Sequence, residues 1–291
     1  MEKKLNIFVI IVTYNGMQWI GKCLQSLKQS TYPITTIIVD NNSTDDTRDF
    51  VINNYKDVVW MPQTNNLGFG QANNIGMRYA LEHDADYILL LNQDAYLQPT
   101  AIEEMLKVAD GYNLVSPIHL NGNGTRLDAI FRESLKRADN EILDDLLVNG
   151  SVKSSYDVGE ICAACWFMPI SMLKEIGGFN PLFFHYGEDR NYYTRIIYNG
   201  RKLTLAPKAM MYHDRTLHGN VQLYNKKRIH HQILIVACNP NYNILQCIRQ
   251  WIKIMVNAPT KFTIEFCKLI PSFFRIMKSR SIEGKKQACW L

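Results

Sequence analysis

A short polar motif, Asn92-Gln93-Asp94, follows directly after an apolar run at residues 87–91. The run is short and rich in Ile and Leu, which predicts a buried strand of a parallel sheet. Its polar end should then lie at the carboxyl edge of the sheet, where open α/β sheets bind ligands. The Asp94 carboxylate, two residues from the Asn92 amide, suits Mg²⁺ or Mn²⁺ carrying a diphosphate. The alternative is that Asp94 only caps the helix that begins near Pro99.

A second carboxylate, Asp40, ends another predicted strand at residues 36–39. From there it can accept a hydrogen bond from a nucleotide base or a ribose hydroxyl, as the acidic residue after a Rossmann strand does. Alternatively, it only stabilises the turn. The Asn-rich segment 65–76 combines glycines, which let the backbone approach a ligand, with amides that offer donors and acceptors. This segment lacks the Gly-Lys-Ser/Thr of a P-loop and does not continue as GxGxxG.

Two further groups could supply acid–base or ligand chemistry. Glu188 and Asp189 open a predicted helix just after an aromatic-rich segment, and a carboxylate beside aromatic walls can act as a general base with a raised pKa. Acids at a helix start are also an ordinary feature, because they complement the helix dipole. His213 follows a predicted strand at 200–207, and a histidine taken alone is more often packed or exposed than a ligand.

The elements that position these residues alternate between strands and helices. Predicted strands lie at 5–12, 36–39, 58–62, 87–91, 114–118, 161–169 and 200–207, and predicted helices at 19–30, after Ser43, at 72–82, 99–109, 172–176 and from 188. With right-handed crossovers, the first half of this order predicts a parallel, doubly wound α/β sheet with its polar strand ends along one rim. The long polar insert 121–155 is a candidate for acceptor specificity.

Length and charge predict a main domain with an appendage. The 291 residues, 47% of them hydrophobic, can bury one full α/β core. Residues 1–220 hold 20 Lys and Arg against 25 Asp and Glu, whereas residues 221–291 hold 12 against 2, within a net charge of +5. We therefore predict a catalytic domain at 1–220 and a basic helical extension at 221–291. The seven cysteines have no CxxC spacing, which favours a reducing compartment and disfavours structural zinc.

In the basic extension, residues 221–291, apolar residues interspersed with Lys and Arg predict amphipathic helices at 229–238, 244–256 and 262–277. Basic amphipathic helices bind anionic membrane surfaces. The alternative is that they pack on the catalytic domain or on a second copy of it, which would make the protein a homodimer. Nucleic acid fits less well, because no binding motif accompanies the charge and the preceding domain is acidic.

No apolar run reaches the roughly 18 residues that would span a bilayer, and the apolar start predicts a buried strand instead of a signal peptide.

Six segments within residues 5 to about 215 resemble, in order, the inverting glycosyltransferases of family 2. They are VIIVTYNG at 9–16, IVDNNSTD at 38–45, NLGF and NNIG at 66–69 and 73–76, LNQD at 91–94, GGF, FF and GED at 177–179, 183–184 and 187–189, and Pro207 with His213. The resemblance implies the GT-A fold, a Rossmann-like, predominantly parallel sheet flanked by helices. Bacterial polysaccharide and rhamnosyltransferase-like members are the most similar in character.

The resemblance also implies roles for particular residues. It implies a donor-nucleotide pocket formed by Thr13, Tyr14, Asn15, Asp40, Asn42, Asn66 and Asn92. Asp94 would be the last acid of the DxD motif and would hold Mn²⁺ or Mg²⁺, with His213 completing the ligand set. Asp189, with Glu188 beside it, falls at the position of the family's catalytic base.

Three positions depart from the family pattern. Asn92 stands where the first Asp of DxD is frequent, so we expect weaker metal affinity. Asn180 replaces a frequent Asp after Gly-Gly-Phe. Arg190-Asn191 replaces the usual Val-Asp, and Arg190 beside the base should lower the pKa of that carboxyl by favouring its charged form.

Together these observations predict an inverting, metal-assisted hexose transfer from a UDP- or dTDP-sugar to a hydroxyl of a growing cell-surface glycan or lipid-linked oligosaccharide. The place of action would be the cytoplasm, peripherally on the inner face of the membrane. A nucleotide-sugar-binding module without turnover is the alternative from another class. A sugar nucleotidyltransferase is disfavoured, because no Gly-rich, Arg- or Lys-containing signature follows the first strand.

Overall fold

The computed structural model describes residues 4–137, 141–215, 217–287 and 289–291. Within these ranges the strands are β1 Ile7–Thr13, β2 Thr35–Asp40, β3 Val59–Pro62, β4 Tyr87–Asn92, β5 Ala95–Leu97, β6 Asn113–Asn121, β7 Tyr156–Val158, β8 Cys165–Pro169 and β9 Lys202–His213. The helices of the first 198 residues are α1 Ile20–Lys28, α2 Thr47–Asn54, α3 Phe69–Glu82, α4 Ala101–Leu106, α5 Ala129–Arg137, α6 Ile142–Leu147, α7 Ile170–Ile176 and α8 Glu188–Tyr198. The strands form one sheet in the order β3-β2-β1-β4-β8-β6-β9-β5, with β7 paired to β9.

Strand β1 is the centre of a parallel half-sheet. It pairs in parallel with β2 on one side and β4 on the other, and β2 pairs in parallel with β3. Its apolar residues alternate between two buried clusters, Phe8 and Ile10 on one face and Val9 and Ile11 on the other. A strand buried on both faces needs such a continuous apolar run, because helices cover each side of the sheet. The predicted α/β class and the parallel order of the first four strands are confirmed.

The other half of the sheet is mixed. Strand β8 returns antiparallel to β4, β6 and β9 run parallel to each other, and β5 pairs antiparallel with β9. The last pairing places Ala95 opposite His213. Because strand register aligns residues directly across a ladder, this antiparallel pair brings the end of β9 next to the end of β4. The mixed half therefore joins two polar strand ends that are far apart in the sequence.

The insert predicted at 121–155 contains two short helices, α5 and α6. Phe131 of α5 and Ile142 of α6 are buried in the core cluster that also contains Trp166. These few apolar anchors are separated by charged residues, which explains why the segment shows no clear periodicity in the sequence.

The basic extension is helical, as predicted. Its elements are α9 Leu217–Cys238, α10 Ile244–Asn257, α11 Pro259–Leu269, a 3₁₀ turn at Ile270–Ser272 and α12 Phe273–Glu283. Helix α9 continues across the predicted boundary at residue 220 and packs against α10, α11 and α12. Phe183 of the main domain is buried together with Leu234 and Ile276 of these helices. No helix among the described residues is long and apolar enough to cross a membrane.

Candidate active site

The carboxyl ends of β1 and β2 lie side by side. Thr13 is paired with Asp40 in the parallel ladder, and both side chains are buried. Asp40 Oδ1 accepts a hydrogen bond of 3.2 Å from the Ser43 amide. The carboxylate therefore shapes the turn after β2 at the same edge where it was predicted to contact a nucleotide.

Gln93, for which no role was predicted, ties the end of β4 to the loop after β1. Its Oε1 accepts hydrogen bonds from Thr13 Oγ1 at 2.7 Å and from the Tyr14 amide at 3.0 Å. Asn15 fastens the same loop to the segment after β2, because its Oδ1 accepts from the Thr44 amide at 2.8 Å. The Tyr14 side chain stays 45% exposed. A rigid loop thus presents an aromatic ring at the sheet edge, where a nucleobase could stack.

Asn41, also absent from the predicted set, organises the segment before α3. Its amide donates to Asn66 Oδ1 at 2.9 Å, and its Oδ1 accepts from the Leu67 amide at 2.7 Å. Gly68 has φ +77°, and a Cβ there would lie 2.0 Å from the carbonyl oxygen of Phe184. Only glycine permits this approach. Asn66 is thereby held in place by protein contacts, whereas the neighbouring Asn42 is exposed.

The structure brings together the two predicted metal ligands. Asp94 Oδ1 lies 3.3 Å from Nε2 of the buried His213. Asn92 Nδ2 lies 3.5 Å from the same imidazole nitrogen. Burial alone would raise the pKa of Asp94, but the hydrogen bond and charge of His213, with the charge of Arg215, outweigh it and lower the pKa. The carboxylate form is therefore favoured at neutral pH.

Asp128, which no sequence pattern indicated, lies behind this pair. Its Oδ2 is 3.9 Å from His213 Nδ1 and accepts a hydrogen bond of 2.9 Å from Arg215 Nε. The carboxylate of Asp128 thus faces the imidazole nitrogen opposite the one near Asp94. At 3.9 Å the two atoms are too far apart for a hydrogen bond, and Nδ1 has no hydrogen-bond partner among the described residues, so Asp128 acts on the imidazole through its charge. Asp128 belongs to the polar insert, so only the tertiary fold reveals this relationship.

The residues around Asp94 fit a divalent cation. Among the described residues no three His, Cys, Asp or Glu side chains form a metal-binding cluster. However, Asn92 Oδ1 is buried and has no hydrogen-bond partner within the described chain. A carboxylate oxygen, an amide oxygen and an imidazole nitrogen are all ligands of divalent cations. Asp94, His213 and Asn92 could therefore hold Mn²⁺ or Mg²⁺.

The two acids at the start of α8 differ in exposure, because Glu188 is buried and Asp189 is half-buried. Glu188 is buried, and its Oε2 has no hydrogen-bond partner among the described residues. Burial, followed by the charge of Asp189, raises the pKa of Glu188. Burial likewise raises the pKa of Asp189, although the amide and charge of Arg190 oppose the shift. The predicted effect of Arg190 on the pKa of Asp189 has the expected sign, but burial outweighs it.

The aromatic residues before and within α8 differ in their exposure. Phe179 is stacked with Trp166 and tilted against Tyr192, with ring centroids 6.2 and 4.8 Å away, and all three side chains are buried. By contrast, Phe184 is exposed. Phe179 therefore packs between β8 and α8, whereas Phe184 leaves an exposed ring near the start of α8.

A parallel half-sheet joined to a mixed half, with polar groups gathered at the strand ends, is the architecture of a GT-A glycosyltransferase. The structure is similar to the mannosyltransferase PcManGT from Pyrobaculum calidifontis in complex with GDP-Man and Mn²⁺, with a TM-score of 0.62, 15% identity, and coverage of 97% of this chain and 81% of that chain. The family described as Glycosyl transferase family 2 matches residues 8–177. The chain belongs to this family, and it is a glycosyltransferase that uses a nucleotide-sugar donor.

Two relatives of known activity are similar over most of the chain. One is the N-acetylglucosaminyl-diphospho-decaprenol L-rhamnosyltransferase of Mycobacterium tuberculosis (strain CDC 1551 / Oshkosh), 23% identical over 71% of this chain and 75% of the relative. The other is the O-antigen chain rhamnosyltransferase WbaN of Salmonella anatum, 26% identical over 80% of this chain and 72% of the relative. Both relatives are named as rhamnosyltransferases, the first for N-acetylglucosaminyl-diphospho-decaprenol and the second for an O-antigen chain.

Proposed function

We propose that this protein transfers a hexose, with inversion, from a UDP- or dTDP-sugar to a hydroxyl of a growing cell-surface glycan or lipid-linked oligosaccharide. The observation that carries the proposal is the contact between Asp94 and His213 at the sheet edge of a family 2 glycosyltransferase. The names of the two relatives make L-rhamnose the first sugar to test and a lipid diphosphate-linked saccharide the first acceptor.

The donor nucleotide would bind across the ends of β1, β2 and β4. Tyr14 offers its exposed ring to the base, and Asp40 lies in the turn where a ribose or base donor would approach. The remaining members of the proposed pocket are Thr13, Asn15, Asn42, Asn66 and Asn92. Most of them are already fixed by hydrogen bonds, and such preorganisation lowers the entropic cost of binding.

Asp189 is the proposed general base, with Glu188 beside it. The acceptor hydroxyl oxygen attacks the anomeric carbon, the hydroxyl proton passes to the Asp189 carboxylate, and the bond from the anomeric carbon to the diphosphate oxygen breaks. The diphosphate leaves with that electron pair, so one displacement inverts the anomeric centre. Mn²⁺ or Mg²⁺ held by Asp94, His213 and Asn92 would neutralise charge on the leaving diphosphate. Burial raises the pKa of Asp189, which makes the carboxylate a stronger proton acceptor.

The test is a transfer assay with dTDP-L-rhamnose and a panel of UDP- and dTDP-sugars, each with Mn²⁺, with Mg²⁺ and with a chelator. We expect one donor to support metal-dependent transfer by the wild-type protein and none to support it in Asp189→Asn. Donor binding without transfer or hydrolysis under every condition would instead favour the binding module. Thermal shifts establish donor binding in either case, because a ligand at about 100 times its Kd adds about 2.7 kcal/mol of stability whether or not it reacts; the transfer and hydrolysis assays then separate the enzyme from the binding module.

Helix α10 supports a second part of the proposal, docking on an anionic membrane. Cys247 and Trp251 face the protein, whereas a second apolar face remains exposed. The exposed residues recur at helical spacing and are Ile244, Leu245, Ile248, Ile252, Met255 and Val256. Arg249 and Lys253 are exposed on the same helix. An apolar face combined with cations fits anionic lipid headgroups over acyl chains. The inner face of the cytoplasmic membrane, where a lipid-linked acceptor would lie, is the proposed location.

Vesicle co-sedimentation of the full chain tests this docking. We expect binding to vesicles that contain phosphatidylglycerol, weak binding to phosphatidylcholine, and loss of binding in the double variant Ile248→Glu, Ile252→Glu. The matched control replaces two exposed apolar residues of α6, Leu143→Glu and Leu147→Glu, and should bind as the wild type does. Equal binding by both double variants would refute docking through this face of α10. A dimer that dissociates only in the α10 variant would identify a second copy as the occupant.

A further inference from the structure

The basic extension contains two acidic residues, Glu265 and Glu283, and they occupy opposite environments. Glu265 lies near the surface, paired with Lys268 at 2.6 Å and with His230 at 3.2 Å. Glu283, the last residue of α12, is only 3% exposed and faces the main domain. A buried carboxylate is costly unless strong partners surround it, so the partners of Glu283 indicate what it does.

Three side chains of the main domain converge on this carboxylate. Asn180 Nδ2 donates to Oε1 of Glu283 at 2.7 Å. Asn191 Nδ2 lies 3.1 Å from Oε1 and 3.2 Å from Oε2. Arg195 Nε lies 3.7 Å from Oε1 and supplies the compensating charge. All three partners are fully buried. One carboxylate of the extension thus joins the turn before α8 to α8 itself.

We propose that Glu283 is a positioning residue for the catalytic base, an inference that rests on the role proposed above for Asp189. Asn191 lies in the first turn of α8, two residues after Asp189. Successive helical residues are about 100° apart around the axis, so the two side chains project from roughly opposite sides of the turn. Any rotation that frees Asn191 from Glu283 also turns Asp189 away from its place. The contact between Asn191 and Glu283 therefore fixes the direction in which the Asp189 side chain projects from α8.

Arg195, which contacts Glu283, also binds the turn after α7. Its Nη1 donates to the carbonyl of Ile176 at 2.9 Å, and its Nη2 donates to the carbonyl of Gly178. The Gly178 amide in turn donates to the carbonyl of Cys289 at 2.8 Å. The end of the chain and Glu283 therefore hold the same part of the main domain. Truncation of the extension would expose these partners, so point substitutions are the appropriate test.

Charge balance explains why both direct partners are amides. A carboxylate at residue 180 or 191 would face Glu283 at hydrogen-bond distance in a buried site, with Arg195 as the nearest compensating charge. Two carboxyl groups at such a distance cannot readily both be ionised, because their negative charges repel each other. The site accommodates one carboxylate opposed by amide donors. Exchanging the carboxylate and an amide between positions 191 and 283 should preserve that balance.

The test compares Glu283→Gln, Asn191→Asp and their combination, with Glu265→Gln as the matched control. We expect Glu283→Gln to lower kcat about tenfold with the donor KM nearly unchanged, because a misplaced catalytic group affects the chemical step. Asn191→Asp should lose at least as much, and the double variant should recover most of the loss. Hydrogen exchange of the first α8 turn should increase in Glu283→Gln and return towards the wild-type rate in the double variant.

Three outcomes would overturn the inference: a kcat for Glu283→Gln equal to that of Glu265→Gln, exchange rates that do not change, or a double variant no better than Asn191→Asp. If Glu283→Gln does not fold, a folded and active double variant supports the inference and an unfolded one refutes it.

Asp189→Asn, measured in parallel, separates this inference from the proposed function. Wild-type transfer by Asp189→Asn would refute the base itself, whereas an inactive Asp189→Asn with an unaffected Glu283→Gln would refute the positioning role alone.

Discussion

Asp94 Oδ1 lies 3.3 Å from Nε2 of His213, and this contact joins the end of β4 to the end of β9. The antiparallel pairing of β5 with β9 produces it, because Ala95 lies directly opposite His213. A cation held by these two side chains would keep most of its coordination positions for diphosphate oxygens and water.

Replacing Asp94 with Asn should therefore abolish metal-dependent donor binding. We expect the Mn²⁺-dependent part of the thermal stabilisation by UDP or dTDP to disappear, and transfer to fall by about a hundredfold or more, since the leaving diphosphate loses its counter-charge. Asp157, an exposed acid paired with Lys202, offers the matched control Asp157→Asn, which should behave as the wild type. An unchanged Mn²⁺-dependent shift in Asp94→Asn would exclude Asp94 as a ligand.

Asp128→Asn should weaken metal binding without removing a ligand. The carboxylate faces His213 Nδ1 at 3.9 Å, and loss of a carboxylate behind a ligating histidine typically costs about 10- to 100-fold in metal affinity. The measurement is the Mn²⁺ concentration that half-activates transfer. Asp145, another buried acid of the insert, accepts a hydrogen bond from Tyr156 at 2.7 Å. Asp145→Asn should lower stability and leave Mn²⁺ activation unchanged, so an equal effect of both variants would argue against a specific effect of Asp128 on the metal site.

Arg190 and Glu160 should shift the pH dependence of transfer in opposite directions. They lie 3.8 Å apart beside Asp189. The charge of Arg190 lowers the pKa of Asp189 and that of Glu160 raises it, while burial raises it most. Transfer requires the ionised base, so kcat falls as pH drops through that pKa. The acid limb of the kcat profile should move to higher pH in Arg190→Gln and to lower pH in Glu160→Gln. Shifts in the same direction would contradict the electrostatic assignment.

The sequence predicted the parallel half of the sheet because its signals are local. Continuous apolar runs such as residues 87–91, each ending in polar residues, indicate buried parallel strands without knowledge of the partner strands. The same local signal identified Asp94 as a candidate metal ligand, because it lies in the polar motif that follows such a run. The position of His213 beside it was implied by family resemblance alone, because strand pairing across the mixed half has no local signal.

Other residues of the site were missed because their partners are distant in the chain. Asp128 lies in a polar insert without periodicity, and Glu283 follows a basic stretch that resembled a surface helix. Asn180 and Asn191 were recognised only as departures from the family pattern. Their common contact with Glu283 gives a physical reason for the amides, and that reason depends on how α12 packs against α8.

Glu188→Gln should stabilise the protein at neutral and higher pH. Burial and the charge of Asp189 raise the pKa of Glu188 in the folded state, so between the unfolded and folded pKa values the folded protein binds more protons. The free energy of unfolding contributed by this group is then highest below the unfolded pKa and is lost as pH rises through the folded pKa. Glutamine cannot ionise, so the difference in stability between Glu188→Gln and wild type should grow with pH over this window.

Urea denaturation at several pH values between 5 and 9 measures this difference directly. We expect the variant to exceed the wild type by about 1–3 kcal/mol at the upper end, the usual cost of an unsatisfied buried polar group, while the two converge at the lower end. The control Glu82→Gln, at an exposed residue ending α3, should differ from wild type by a small amount that does not vary with pH. A constant offset for Glu188→Gln would show that Glu188 does not titrate in this window, because a proton bound differently by the two states must make the offset depend on pH.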